Sequence, residues 1–143
     1  MQDFKAADGR YLTEPESIYP AYSFSMSARD MARFGYLYLQ NGRWGDRQIV
    51  PAEWISRSTT AYSQGLVSDY NPYGGYGLLW WVGDYGYFAL GHGGHVIAVI
   101  PSKDLVVVHR VDNDNRAEAN AVPYRDIDTM IRLIINAAPS PVK

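Results

Sequence analysis

The sequence predicts an α+β fold: an antiparallel sheet of three to four strands with flanking helices. Two observations carry that expectation. Four short aromatic or β-branched runs follow one another between residues 76 and 111, separated by turn residues, as in a meander of neighbouring strands. Helix-period patterns lie before and after this block rather than alternating with it, the order of an α+β layer.

Residues 1–22 show no sustained period and contain Pro15 and Pro20, so they are expected to be an irregular lead-in. Ser27, with Asp30 three residues on, is a variant capping box. Ala28, Met31, Ala32, Gly35, Tyr38 and Leu39 then recur at helical spacing and predict a buried stripe. Asn41-Gly42 supplies a left-handed stop. Pro51 suits the first position of a short helix over Pro51–Ser58, with Trp54 and Ile55 inward. Residues 59–75 form a long polar loop rich in Ser, Tyr and Gly.

The strand runs are Tyr76–Val82, Tyr87–Leu90, Val96–Ile100 and Leu105–Val111. Gly83-Asp84-Tyr85-Gly86 and Pro101-Ser102-Lys103-Asp104 suit the turns between them. Asp112–Arg116 reads as a polar loop. Pro123 opens a last helix in which Tyr124, Ile127, Ile131, Ile134 and Ile135 share a face. The tail 139–143 is expected to fray. The last helix should cover one sheet face, and no pattern says what covers the other.

Composition narrows the function. With 47% apolar residues and 143 in all, the chain can build a core. A net charge of −2 gives no broad positive field for nucleic acid. No run reaches the roughly 20 apolar residues of a membrane helix. Met1–Lys5 lacks a charged-then-apolar signal pattern. The absence of cysteine removes disulfides, thiolate metal sites and cysteine nucleophiles.

The residues with the most chemistry are Leu90-Gly91-His92-Gly93-Gly94-His95, between two strand runs. Glycines beside a histidine let a substrate or another backbone come close. The imidazole can donate a hydrogen bond or carry a proton near neutral pH. An incidental His in a Gly-rich hairpin accounts for these residues equally well. Metal binding by His92 and His95 lacks a third nearby ligand. Asp112-Asn113-Asp114-Asn115 starts like a calcium loop but lacks its glycine, and Arg116 stands at a ligand position. Neither a metal nor any other cofactor is expected. Self-contained nucleophilic catalysis finds no G-x-S-x-G elbow. The one Ser-x-x-Lys, Ser140 to Lys143, is interrupted by Pro141 at the terminus.

Five segments in register resemble the serine β-lactamase/penicillin-binding-protein-like family, on its class C and esterase side. They are Ser25–Gly35; Asn41–Trp44 with Gln48–Trp54; Tyr76–Trp81; Gly91–His95; and Pro101–Val108. The resemblance runs from about residue 23 to 136. It implies an incomplete part of that family's fold over residues 23–138. The family's Ser-x-x-Lys and Tyr-x-Asn elements are absent from this chain, and His92-Gly93-Gly94 stands in the place of its third element. By resemblance, His92 assists a Tyr–Lys–Ser proton network. Gly93, Gly94 and His95 form the substrate-binding and oxyanion wall, with a backbone N–H near His95 as a donor.

The resemblance therefore implies a C-terminal fragment of a serine hydrolase acting on a small ester, amide or peptide through an acyl-enzyme, inactive alone. The alternative is a non-catalytic binding module derived from the same fold. Expected partners are the N-terminal portion of the domain, or a second copy through a bare sheet edge. Nucleic acid is not expected. A periplasmic or extracytoplasmic location suits the parent, although no signal is visible in this chain.

Overall fold

Helices cover both faces of the strand block. The computed structural model describes residues 1–13, 15–19, 21–68, 71–112 and 121–139. Asn113–Arg116 and Ser140–Lys143, on which the polar-loop, calcium-loop and Ser-x-x-Lys readings fall, lie outside the described residues.

The lead-in holds more order than its sequence suggests. After a 3-10 turn at Ala6–Asp8, strands β1 (Gly9–Leu12) and β2 (Ala21–Phe24) pair antiparallel from Gly9↔Phe24 to Leu12↔Ala21. Pro15 lies in the connection, where it interrupts no ladder bond. β1 is largely exposed and so carries no apolar alternation.

Helix α1 (Ala28–Leu39) starts where expected, with the Ser27 hydroxyl accepting from the Asp30 N–H at 3.1 Å. Asn41 and Gly42 take positive φ just past its end. Its buried residues are Asp30, Gly35 and Tyr38, while Ala28 is exposed. A Cβ on Gly35 would stand 2.6 Å from Val106 and 2.9 Å from Ile97. Glycine here lets the helix backbone settle against the sheet. The short ribbon β3 (Arg43–Trp44) and β4 (Arg47–Gln48) leads to α2 (Ala52–Ser58). In α2, Ile55 is buried and Trp54 is largely exposed.

The α+β expectation stands, and the sheet is wider than three to four strands. Its six strands lie in the order β10–β9–β8–β7–β6–β5, all antiparallel. They are β5 (Ser63–Gln64), β6 (Gly75–Tyr76), β7 (Trp81–Val82), β8 (Tyr87–Gly91), β9 (His95–Ile100) and β10 (Leu105–His109). The added strands are only two residues long, too short to show a period. The run Tyr76–Val82 is a hairpin rather than one strand, reversing through Leu79 at φ 68°. The reversal is tied to α2, where Leu78 N–H donates to the Ser58 carbonyl at 2.9 Å.

Helix α3 (Tyr124–Ala137) buries Ile127 and Ile131 against Phe88, Val96, Ala98 and Ile100. On the opposite face, Ile97 and Val99 meet Tyr38, Ile55 and Trp80. Alternation along β9 sends successive side chains into the two cores, and Val96–Ile100 are all buried. The face without a predicted cover is thus closed by α1, α2 and the β6–β7 reversal. β10 ends the sheet order, with no further strand beside it among the described residues.

Candidate functional site

The β8–β9 connection is His92-Gly93-Gly94, a short turn at one end of the strand pair that runs from Gly91↔His95 to Tyr87↔Val99. Gly93 and Gly94 have φ of 81° and 104°, which side chains other than glycine strongly resist. A Cβ on Gly94 would also stand 2.8 Å from the Val122 carbonyl oxygen. Glycine at position 94 is therefore required twice, for its backbone angle and for the segment that crosses it.

The turn's carbonyls are held from outside. Tyr124 Oη–H donates to the Gly91 oxygen at 2.7 Å, and the Gly94 N–H closes on the same atom at 3.3 Å. Val122 N–H donates to the Gly93 oxygen at 3.1 Å. His109 Nδ1 lies 2.7 Å from the Gly94 oxygen. A carbonyl only accepts, so the neutral His109 ring carries its proton on Nδ1.

Beside the turn, on the α1 face of the sheet, is a concavity of about 720 Å³. Ala89, Gly91, His95 and Ile97 form its sheet side, and Phe24–Ser27 with Met31 form its opposite rim. Arg110 completes it, and one guanidinium N–H donates to the Met26 carbonyl oxygen. The Ser27 hydroxyl is engaged, donating to Asp3 Oδ2 at 2.7 Å while accepting from Asp30 N–H. No lysine or carboxylate lines the concavity among the described residues.

The predicted residues are neighbours with unequal placements. His92 is exposed at the tip of the turn, and His95 is half-buried in the lining. Gly94 faces the other way, packed toward Val122 and Ile127. His109, Tyr124 and Arg110 were not foreseen as site residues. The sequence places His109 in the interior of a strand run and Tyr124 on a helix's apolar face. Their one sequence signal was a polar atom on an otherwise apolar run. Among the described residues, no group of three His, Cys, Asp or Glu side chains could hold a metal ion. No helix among the described residues is long and apolar enough to cross a membrane.

Over residues 2–128 the chain matches the Beta-lactamase family. The chain belongs to that family. The match starts at residue 2, well ahead of the residue-23 start of the motif resemblance, and so takes in the β1–β2 ribbon. As a Beta-lactamase family member it is similar to an uncharacterized protein of Alkalihalophilus pseudofirmus, with 26% identity over 118 residues, covering 73% of this chain and 34% of that protein. Its fold is similar to that of a solved structure from Bacillus anthracis described as a "putative 6-aminohexanoate-dimer hydrolase". That likeness has a TM-score of 0.58 at 25% identity, covering 91% of this chain and 33% of the other. The chain thus spans about a third of the length of each of these relatives.

Proposed function

We propose that this chain forms the His-Gly-Gly wall of a serine hydrolase that cleaves a small ester, amide or peptide through an acyl-enzyme. The nucleophile and its base reach the concavity from polypeptide outside these 143 residues. The observation that carries this reading is the β8–β9 turn standing beside a substrate-sized concavity, with its carbonyls tied back by His109, Tyr124 and Val122. Family membership supports the class of chemistry.

In this reading His92, exposed at the tip, hydrogen-bonds to the catalytic proton network. The edge carried by Gly93, Gly94 and His95 receives the substrate carbonyl on its His95 side, Gly94 anchoring it from the opposite face, with a backbone N–H near His95 stabilising negative charge as the acyl carbon becomes tetrahedral. Fixed donors are effective in this role because they do not reorganise as charge develops. Activating a serine takes a base such as a lysine or carboxylate, and in this reading that group comes with the nucleophile, the described lining being apolar and aromatic apart from Ser25, Ser27, His95 and Arg110.

The test is turnover of chromogenic esters and cephalosporins by the purified chain, alone and with the remaining upstream part of a full-length relative. Activity is expected only in the mixture. Full activity of the chain by itself would overturn the proposal. A stable monomer that ignores the added polypeptide would favour a non-catalytic binding module.

A further inference from the structure

We infer that His109 is a positioning residue for the His92 turn, holding the Gly94 peptide from the neighbouring strand while Tyr124 holds the Gly91 peptide from α3. This deepens the proposed function and rests on it for its catalytic meaning. The geometry stands apart from that reading.

His109 is the last residue of β10, paired with Val96. Alternation places its side chain on the α3 face with Leu105 and Val107, the face on which Gly94 packs against Val122 and Ile127. From there its Nδ1–H reaches the Gly94 oxygen at 2.7 Å. On the far side of the turn the Tyr124 hydroxyl reaches the Gly91 oxygen, also at 2.7 Å. The two bonds grip the turn at its ends, one on each side of His92-Gly93. Two consecutive glycines are otherwise the most freely rotating backbone a turn can have, so a wall built on them needs external holds. A peptide is planar and trans, so fixing a carbonyl also fixes the N–H of the following residue. Holding the Gly94 oxygen therefore sets the plane of the His95 N–H, within the stretch that the proposed function gives to the oxyanion wall. The Nδ1–H is present in both the neutral tautomer required here and the imidazolium. The hold consequently persists whether or not the ring is protonated.

The experiment uses the isotopically labelled chain and three variants: His109→Leu, His109→Asn and Tyr124→Phe. Leucine keeps much of the volume and removes the donor, whereas the asparagine amide can present an N–H close to where Nδ1 stands. Nitrogen chemical shifts are expected to show neutral His109 as the Nδ1–H tautomer. In H109L, amide exchange at Gly93–His95 should quicken by roughly three- to tenfold, the loss expected for one hydrogen bond, with the core of β9 unchanged. H109N should return it toward the original rate. Y124F should loosen the Gly91–His92 end and leave the Gly94 end protected.

An Nε2–H tautomer, no change in H109L, or a uniform rise across β8–β10 would each overturn the inference. If H109L does not fold, the tautomer and Y124F still decide it. In the complemented enzyme kcat should fall in H109L and recover in H109N, and equal kcat in the two would overturn the catalytic meaning. Absence of any turnover in the mixture would count against the proposed function while leaving the exchange and tautomer results to judge the hold.

Discussion

Asp30 accepts hydrogen bonds from the backbone N–H groups of Gln2, Asp3 and Phe4 at 2.9, 3.0 and 2.7 Å, and an ion pair from Arg33 at 2.7 Å. Its side chain is fully buried. Burial opposes its ionisation, but the Gln2 N–H, the Arg33 guanidinium and the Phe4 and Asp3 N–H groups outweigh it. The carboxyl is lowered from 3.8 to about 2. Because the folded value is depressed, the stabilisation is complete above the unfolded value and is lost as pH falls through the folded one. Denaturant titrations should show wild type more stable than Asp30→Asn near neutrality, the gap closing between 3.8 and about 2. A gap that stays constant through that window would contradict the assignment. The sequence showed Asp30 only as a capping partner of Ser27. The three backbone N–H groups that bond it lie 26 to 28 residues away, and no local pattern reports a contact across such a separation.

Among the elements, those with a strong period or a cap were legible. α1 was signalled by Ser27 and Asn41-Gly42, and α3 by Pro123 and the spacing of Ile127 and Ile131. The β8, β9 and β10 runs are legible because each is five or six residues long and mostly apolar, aromatic at the start of β8 and β-branched through β9 and β10. β5, β6 and β7 were not, because two residues cannot display alternation and their pairing depends on a reversal at Leu79. The β8–β9 turn was found from its glycines, whereas His109 and Tyr124 become its partners only when β10 and α3 pack beside it. α3 owes its place to the side chains that meet Val96, Ala98 and Ile100. Ile131, with no exposed surface, is central to that contact. Ile131→Ala should lower unfolding free energy by roughly 2–5 kcal/mol, read from urea denaturation. A loss well below that range would mean that the site collapses around the smaller side chain.

At the scale of the whole molecule, the sheet is closed on its two faces and open along β10. Val106 and Val108 contribute to one core and Leu105 and Val107 to the other, while the outward row of backbone donors and acceptors faces no strand among the described residues. An edge of this kind invites pairing. Under the proposed function its occupant is the upstream polypeptide of the same domain. Sedimentation of the chain alone should show association that grows with concentration and gives way to a one-to-one complex when that polypeptide is added. A monomer at every concentration, unaffected by the addition, would refute this occupancy.

The double cover of β9 has a consequence for how such a site could change its chemistry. A strand buried on both sides opens only with the most stable part of a domain, and His95 is its first residue. Under the proposed function, the floor of the concavity therefore keeps one shape from one substrate to the next. The rim is built differently: Phe24, itself exposed, ends the two-stranded β1–β2 ribbon, and Arg110 reaches across to the backbone carbonyl of Met26. Substitutions there leave both cores intact. If the concavity holds substrate as proposed, selection for a new one would find the least costly variation at Phe24, Ser25, Met26 and Arg110, reshaping the entrance while inheriting the floor unchanged.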